Sequence, residues 1–150
     1  MRFSHQVQYA ICGAFDLAYN GQGAPVQVRV ISERQGIPSR YLEQIFQHLR
    51  RAGLVISKRG PGGGYTLARS PARISLLEIV EAVEGDLDTA LQMKPAETPD
   101  SAAYRPEFLW SSLADRIGRS LGEISLESVC GAAARAEVER AEGDPPMYFI

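Results

Sequence analysis

The segment RGPGGGY, residues 59–65, restricts the fold of this chain more than any other short stretch. Four of its seven residues are glycines, which adopt positive φ without strain, so the segment can form a tight turn or the narrow tip of a loop. A phosphate-binding P-loop needs Gly-Lys-Ser or Gly-Lys-Thr at its end, whereas Tyr65 follows Gly64 here. The choice between a plain turn and a tip that enters a groove depends on the flanking sequence.

Two apolar stretches with strand-like alternation flank the glycine run, at 53–58 and 65–69. The alternating residues are Leu54 and Ile56 in the first stretch and Tyr65 and Leu67 in the second. A period of two is typical of a half-buried strand, and a glycine turn between two such strands predicts a β-hairpin. We therefore expect a hairpin that carries the glycine run at its end.

Three helices are predicted before the hairpin, at 5–19, 28–35 and 40–52, because each stretch has apolar residues at helical spacing. The apolar stripe of the third helix consists of Leu42, Ile45, Phe46 and Leu49. Gly36 ends the second helix, and Pro38 suits the first turn of the third, where its missing N–H costs nothing. Helix, glycine-bearing turn and helix are typical of a helix-turn-helix, whose second helix enters the major groove of DNA.

A helix-turn-helix followed by a hairpin predicts a winged helix, a mainly α fold with a small β-hairpin wing. If the apolar stripe of the third helix is buried, polar side chains project from its other face, and several of them can read base edges. These side chains are Arg40, Glu43, Gln44, Gln47, His48 and Arg51. The glycine run then forms the tip of the wing and lets Arg59 reach a minor groove, whose negative potential attracts arginine.

The sequence after the wing predicts three further helices, at 75–85, 107–124 and 125–143. The segment 86–106 contains three prolines and few apolar anchors, so we expect a loop there, and residues 144–150 are expected to fray or to dock. The apolar stripe of the long helix consists of Trp110, Leu113, Ile117, Leu121 and Ile124. Such a stripe predicts a dimer seam, with packing against the first core as the alternative.

These elements divide the chain into a DNA-binding domain at 1–85, an effector or sensor loop at 86–106, and a dimerisation helix with a C-terminal helix at 107–150.

The charged residues are distributed unevenly between the two halves of the chain. Residues 1–77 contain 10 Lys and Arg against 3 Asp and Glu, a net charge of +7, and residues 78–150 contain 6 against 15, a net charge of −9. A basic N-terminal half suits the binding of a polyanion such as nucleic acid.

Cysteine usage and hydropathy argue against several other classes of protein. Cys12 and Cys130 form no Cys-x-x-Cys pair, which argues against a disulfide framework or a local zinc site. No apolar run is long enough to span a bilayer, and residues 1–5 lack the apolar segment of a signal peptide, so we expect a cytoplasmic protein with no membrane partner. No nucleophile lies in a motif with a base and an orienting group, so no enzyme is predicted.

Four segments, ISERQGI, YLEQIF, LRRAGLV and RGPGGGY, in this order and spacing, resemble the winged-helix transcription regulators of the IscR, NsrR and CymR type. The resemblance is closest to the IscR-like members. It covers residues 1 to about 85 and returns around Trp110 and the segment ISLESV. It implies a homodimer, crossed through the long helix, whose two winged helices bind a palindromic operator in double-stranded DNA. It leaves open the operator sequence, the effector, and whether the protein is a repressor or an activator.

The resemblance also implies roles for individual residues. In the IscR-like pattern Glu43 and Gln44 contact bases, and Arg59 enters the minor groove. Position 40 also contacts DNA in that pattern, but it holds arginine here instead of a small hydroxyl residue, so the operator sequence is expected to differ. The full set of expected DNA contacts is Ser39, Arg40, Tyr41, Glu43, Gln44, His48, Arg59, Gly60, Pro61, Gly62, Gly63 and Gly64.

The IscR-like members hold a [2Fe-2S] cluster with three cysteines and a histidine in the loop before the long helix. The aligned positions in this chain are Gln92, Thr98, Tyr104 and Glu107. None of them is a thiol or an imidazole, so we expect a regulator without an iron-sulfur cluster. Control would then come from a small-molecule or protein effector, from oxidation of a cysteine, or from protein abundance.

Two alternatives stay open. In the first, His5, Gln8 and Cys12 on the first helix contribute to a ligand set that the partner subunit completes, and the protein senses iron-sulfur or redox chemistry. A structural role for a buried Cys12 is the competing interpretation. In the second alternative, the winged helix is an adaptor that binds protein without DNA, which a missing salt dependence would indicate.

Overall fold

The computed structural model describes residues 3–141, which form eight α-helices, a short 3-10 turn and one two-stranded antiparallel sheet. The elements in chain order are α1 (His5–Asn20), α2 (Val28–Gln35), α3 (Ser39–Arg51), β1 (Val55–Lys58), β2 (Gly64–Leu67), α4 (Leu76–Glu84), α5 (Leu87–Ala90), α6 (Pro99–Ala103), α7 (Phe108–Gly122) and α8 (Leu126–Arg135). The prediction of a mainly α fold with a β-hairpin wing is confirmed. Among residues 3–141, none of the helices combines the length and the hydropathy needed to span a bilayer.

The core lies between α1, α2, α3 and α4 and is built from the predicted stripes. The apolar stripe of α3 is almost completely buried, with Leu42, Ile45, Phe46 and Leu49 at 0–1% exposure. The ring of Phe46 lies 4.9 Å from the ring of Tyr65 on β2, so the wing is anchored to the inner face of α3. Burial of this stripe therefore fixes which face of α3 points to solvent.

Helix ends follow ordinary capping chemistry. Ser4 caps α1 by accepting the backbone N–H of Val7, and Gly36 ends α2 in the left-handed conformation with φ +65°. Ser75 and Glu78 form a capping box at the start of α4. Partial burial raises the pKa of Glu78, but hydrogen bonds from the Ser75 backbone and from Arg69 outweigh it and lower that pKa below its usual value.

A buried ion pair joins α1 to α2 and was not anticipated from the sequence. The Asp16 side chain is completely buried and accepts two hydrogen bonds from Arg34 Nε and one from Arg34 Nη2, at 2.6–3.2 Å. The side-chain amide of Gln35 donates to Asp16 Oδ2 at 2.9 Å. Hydrogen bonding to Asp16 raises the pKa of Arg34, with burial acting in the opposite direction. Every polar atom of this buried carboxylate is therefore satisfied.

A residue outside the hairpin also pairs with the wing, which the sequence did not reveal. β1 and β2 pair with Val55 opposite Leu67 and Lys58 opposite Gly64. On the other edge of β2, Val26 and Tyr65 exchange two backbone hydrogen bonds of 2.8 and 2.9 Å. The expected alternation in the first strand is wrong, because Leu54 and Val55 are both buried while Ile56 is 55% exposed. The bend into the hairpin turns two consecutive side chains towards the core.

The segment predicted as a loop, 86–106, contains the two short helices α5 and α6. Asp86 caps the first by accepting the backbone N–H groups of Asp88 and Thr89. Thr98 caps the second by accepting from Ser101, and Pro99 occupies its first turn. The prediction of a structureless loop is therefore wrong, because these capping residues satisfy the free N–H groups that would otherwise oppose helix formation.

The final helix is shorter than the predicted 125–143. The α8 helix ends at Arg135, and the chain reverses at Glu137, which has φ +58°, with the N–H of Val138 donating to the carbonyl of Ala133. The following residues return to α1: Tyr19 Oη donates to the carbonyl of Val138, and the Arg140 guanidinium lies 4.1 Å from the Tyr19 ring centroid. Residues 142–143 of that predicted helix, and residues 144–150, lie outside the described residues.

The C-terminal helices pack on the N-terminal half. Leu126 of α8 is fully buried in the same core as α1 and α3, and the N–H of Leu126 donates to the carbonyl of Ile74. The N–H of Leu76 donates to the carbonyl of Ile124, which ties the start of α4 to the turn between α7 and α8. The division into functional segments at 85 and 106 stays a prediction.

Candidate nucleic-acid interface

The outward face of α3 presents the polar side chains that the sequence predicted. Arg40, Tyr41, Glu43 and Gln44 are exposed on the side opposite the buried stripe, and His48 is half-buried. Gln47 and Arg51 continue this exposed face. The arrangement offers donors and acceptors at the spacing of a helix that lies in a major groove.

The turn between α2 and α3 is held by two hydroxyl groups. Ser32 Oγ donates to the carbonyl of Ile37 at 2.5 Å, and Ser39 Oγ donates to Ser32 Oγ at 3.1 Å. The proton of the Ser39 hydroxyl is therefore used inside the protein, which leaves that oxygen as an acceptor only. Sequence reasoning missed Ser32, because a serine inside a short helix carries no local signal of this contact.

Arg40 and Tyr41 form one unit at the start of α3. The Arg40 guanidinium lies over the Tyr41 ring, with Cζ 4.8 Å from the ring centroid, and Arg40 Nη2 donates to Tyr41 Oη at 3.0 Å. The ring of Tyr9 on α1 lies 6.3 Å from the ring of Tyr41 and packs against the core. Sequence reasoning placed Arg40 and Tyr41 in the site but gave no indication of Tyr9.

The wing tip consists of residues 59–63, and Arg59 is exposed there. The N–H of Gly63 donates to the carbonyl of Gly60 at 2.9 Å, which closes the turn. Gly60 and Gly62 have φ of +87° and +71°, a conformation that other residues adopt only with strain. Glycine at these two positions therefore follows from the backbone path of the turn.

The other two glycines of the run are required by packing. A Cβ on Gly63 would overlap the carbonyl oxygens of Lys58 and Gly60, and a Cβ on Gly64 would overlap the carbonyl oxygen of Val26. Gly64 is the first residue of β2, so its expected place at the tip is wrong: pairing with Lys58 puts it in the sheet. Its φ of +144° and its contact with Val26 leave no room for a side chain.

The apolar stripe of α7 is only half covered. Trp110, Leu113, Ile117 and Leu121 are half-buried, whereas Ala114 between them is buried where α7 packs on α4 and α5. Ile124 is not on this helix, because α7 ends at Gly122 and Ile124 lies 39% exposed in the turn that follows. At the start of α7, Phe108 is 77% exposed. The prediction that this stripe is a dimer seam stays open in a single chain.

Comparison with known proteins identifies the family. A sequence profile of the Rrf2 family, described as iron-dependent transcriptional regulators, matches residues 3–132.

The chain belongs to the Rrf2 family.

Named relatives agree with this assignment. This Rrf2 protein is 41% identical over 129 residues to the HTH-type transcriptional regulator IscR of Xenorhabdus nematophila. The aligned residues cover 86% of this chain and 79% of that protein. It is 38% identical over 126 residues to IscR of Escherichia coli O1:K1, with 84% and 78% covered. It is therefore similar to IscR along most of its length, as its motifs indicated.

Solved structures give the same result. The structure of IscR from T. potens superposes with a TM-score of 0.70 at 33% identity and covers 94% of both chains. The structure of CymR, the global cysteine regulator of B. subtilis, gives a TM-score of 0.70 at 28% identity and covers 88% of this chain and 98% of CymR. This Rrf2 protein is a bacterial transcription regulator with a DNA-binding helix-turn-helix.

The iron dependence in the family description implies a metal group, but the aligned residues of this Rrf2 protein do not fit an iron-sulfur cluster. Gln92 and Glu107 line a cavity of about 290 Å³ beside Trp110. Tyr104 is 91% exposed, and the Thr98 hydroxyl caps α6. Amide, hydroxyl and carboxylate oxygens do not replace the thiolates that hold cluster iron. The indole N–H of Trp110 is buried without a hydrogen-bond acceptor among the described residues.

The three residues of the first-helix ligand set, His5, Gln8 and Cys12, all lie on α1. His5 is exposed and its ring lies 5.9 Å from the ring of Tyr9, whereas Cys12, seven residues further along α1, is half-buried against the core. Gln8 is exposed between them. Within residues 3–141, no three His, Cys, Asp or Glu side chains are grouped to hold a metal ion. A contribution from the partner subunit stays a hypothesis.

We expect Cys12 of this Rrf2 protein to react slowly at neutral pH. Burial raises the pKa of Cys12, and it also raises that of Cys130, where Arg140 partly offsets it. A raised pKa keeps the thiol protonated, so alkylation of Cys12 in a Cys130→Ser variant should be slower than in urea. The rate should keep increasing as the pH rises above about 8.5, the usual pKa of a thiol. Mass spectrometry after iodoacetamide treatment measures the alkylation rate of Cys12 in native and in unfolded protein at each pH. Equal native and unfolded rates would contradict the prediction.

Proposed function

We propose that this protein is a homodimeric regulator that binds a palindromic operator through α3 and the wing of each subunit, without an iron-sulfur cluster. The observation that supports this best is the exposure of three potential DNA-contacting side chains, Glu43, Gln44 and Arg59. None of the three forms an ion pair within residues 3–141. Their charges and amide are therefore available to a ligand.

The charge distribution supports DNA over a protein partner. The N-terminal 77 residues carry a net charge of +7, and Arg50, Arg51, Lys58 and Arg59 are all exposed at the end of α3 and in the wing. Duplex DNA is a uniform polyanion, so such a surface binds it with a strong salt dependence. The same surface offers no nucleophile with an adjacent base, so the proposed activity is binding and not catalysis.

The experiment that tests this proposal selects an operator from a randomised duplex library and measures affinity by fluorescence anisotropy. Arg59→Ala should weaken operator binding by about 1–3 kcal/mol. Glu43→Ala should relax specificity by a similar amount at one base pair, because a carboxylate accepts from cytosine N4 but is repelled by phosphates. Arg135→Ala, which removes one positive charge from the exposed end of α8, is the control and should bind normally.

Two outcomes would contradict the proposal. In the first, selection returns no preferred sequence and the affinity is equal for every duplex across a salt titration, so DNA binding is non-specific. In the second, duplex binding shows no salt dependence, which would favour the alternative that the winged helix is an adaptor for a protein partner. Absorbance, iron and sulfide measurements on protein purified without oxygen test the cluster-free part separately, and stoichiometric iron and sulfide would show that part to be wrong.

Control of a cluster-free regulator needs another signal. The loop region that holds the sensor in cluster-binding relatives contains α5 and α6 here, and a cavity of about 290 Å³ lies between Asp88, Glu107 and Trp110. We propose a small-molecule or protein effector as the source of control. Calorimetric titration of the anaerobically purified dimer with candidate metabolites, followed by operator binding, tests this part.

A further inference from the structure

Arg40 differs from an ordinary exposed arginine because its position is already restricted. Its guanidinium is stacked on the Tyr41 ring at 4.8 Å and donates to Tyr41 Oη at 3.0 Å. A free arginine side chain loses rotamer entropy when it is fixed by a ligand. An arginine that is held before binding loses less, so its hydrogen bonds contribute more to affinity.

The ring that holds Arg40 is itself supported from the core. Tyr9 of α1 lies 6.3 Å from Tyr41, ring centre to ring centre, at an interplanar angle of 35°. Tyr9 packs against the buried core, and its other neighbour is the ring of His5 at 5.9 Å. The series Tyr9, Tyr41, Arg40 therefore links the body of the domain to an exposed cation at the start of α3.

Among the described residues, the remaining donors of Arg40 have no hydrogen-bond partner. A guanidinium has five N–H groups in a planar fork, and Tyr41 accepts from one of them. Among residues 3–141, no carboxylate lies within 4.0 Å of Arg40. Since Arg40 is the second residue of α3, it occupies the end of a recognition helix that contacts base edges.

From this geometry we infer that Arg40 is a specificity-determining residue that reads a guanine in each operator half-site, and that Tyr41 positions it. A bidentate pair with guanine O6 and N7 uses two coplanar donors of the guanidinium, and guanine is the base that presents two acceptors at this edge. A phosphate would also attract Arg40, but it needs no fixed orientation of the fork. The inference rests on the proposed function, since it requires α3 to lie in the major groove.

The test compares base preferences at every operator position for the wild-type protein, Arg40→Ala, Arg40→Lys and Tyr41→Phe, by sequencing bound duplexes from a randomised library. In the wild type, one position per half-site should prefer guanine by about tenfold to a hundredfold. Arg40→Ala should abolish this preference and leave the others. Arg40→Lys keeps the charge but lacks the fork, so it should lose most of the preference.

Tyr41→Phe separates positioning from direct contact. It keeps the ring beneath Arg40 and removes the hydroxyl that accepts from it, so the guanine preference should fall several-fold while other positions stay unchanged. In the Arg40→Ala background the same change should have no further effect on that position, because the side chain it orients is gone. Circular dichroism and sedimentation of each variant verify that fold and assembly are retained.

Three results would overturn the inference. The first is an Arg40→Ala variant with wild-type preferences at all positions and a uniform loss of affinity with a smaller salt slope, which would show a phosphate contact. The second is a Tyr41→Phe change that alters the guanine position equally with and without Arg40. The third is a wild-type protein with no base preference at all, which would also reject the proposed function. If the preference that depends on Glu43 persists and none depends on Arg40, only the present inference fails.

Discussion

The double variant Leu113→Glu, Ile117→Glu is expected to sediment as a monomer and to lose operator affinity by about a hundredfold or more. Both side chains are half-buried in one chain, on the stripe of α7 that the neighbouring helices cover only in part. Apolar surface removed from water contributes roughly 25 cal/mol per Å², and two carboxylates in a closed seam would be desolvated without partners. Two linked half-sites bind far better than one, so loss of the seam lowers affinity without touching α3.

The matched control for this variant is Arg119→Glu. It changes the net charge by the same two units on the same helix, but Arg119 is exposed on the side of α7 away from the stripe. It should remain a dimer with unchanged operator affinity. Analytical ultracentrifugation and anisotropy measure both properties, and circular dichroism verifies that the double variant is folded. A folded double variant that still sediments as a dimer would place the seam elsewhere.

Asp16→Ala should lower the free energy of unfolding by about 3 kcal/mol, which corresponds to a fall in Tm of roughly 6–12 °C for a chain of this size. The Asp16 carboxylate is fully buried, and its removal leaves the Arg34 guanidinium and the Gln35 amide without their acceptor. The Arg34 side chain is 27% exposed, so water reaches part of the stranded charge. This keeps the loss at the lower end of the range for buried pairs.

Arg29→Ala is the control for that measurement. Arg29 and Glu33 form an ion pair at 3.0 Å on the surface of the same helix, α2, but both side chains are about two-thirds exposed. Exposed pairs one helical turn apart contribute only about 0.3–0.5 kcal/mol. In thermal and urea unfolding, the loss of stability should therefore be several-fold larger for Asp16→Ala than for Arg29→Ala. Equal losses would mean that the buried pair adds no more to stability than the exposed pair.

Two of the errors in the predicted secondary structure, in the segment 86–106 and in the first strand, had different origins. The sequence of 86–106 contained signals for the short helices, since Asp86 and the pair Thr98-Pro99 are ordinary N-terminal residues of helices. In the prediction, the prolines and the scarcity of apolar residues outweighed these capping signals. The first strand, in contrast, had no sequence signal for which of its apolar side chains is exposed. Leu54, Val55 and Ile56 are three consecutive apolar residues, and only the bend of the chain into the wing decided that Ile56 would be exposed.

The sequence by itself determined α1 to α4, the hairpin, and the exposed polar face of α3, because each depends on local spacing of apolar residues and on glycine. It also determined that the aligned ligand positions lack thiols, since that is a matter of composition. Whether α7 forms the dimer seam is decided by neither the sequence nor a single chain.

Only the tertiary structure decided how these pieces support the interface. Val26 pairs with Tyr65, Asp16 with Arg34, and Tyr9 with Tyr41, and each pair joins residues far apart in the sequence. No periodic pattern records such pairs, because burial and hydrogen bonding between distant segments are settled when the helices pack together. The position of Arg40 is the clearest case: its residue type was evident from the sequence, while the Tyr41 ring beneath it and the partly buried Tyr9 behind that ring required the fold.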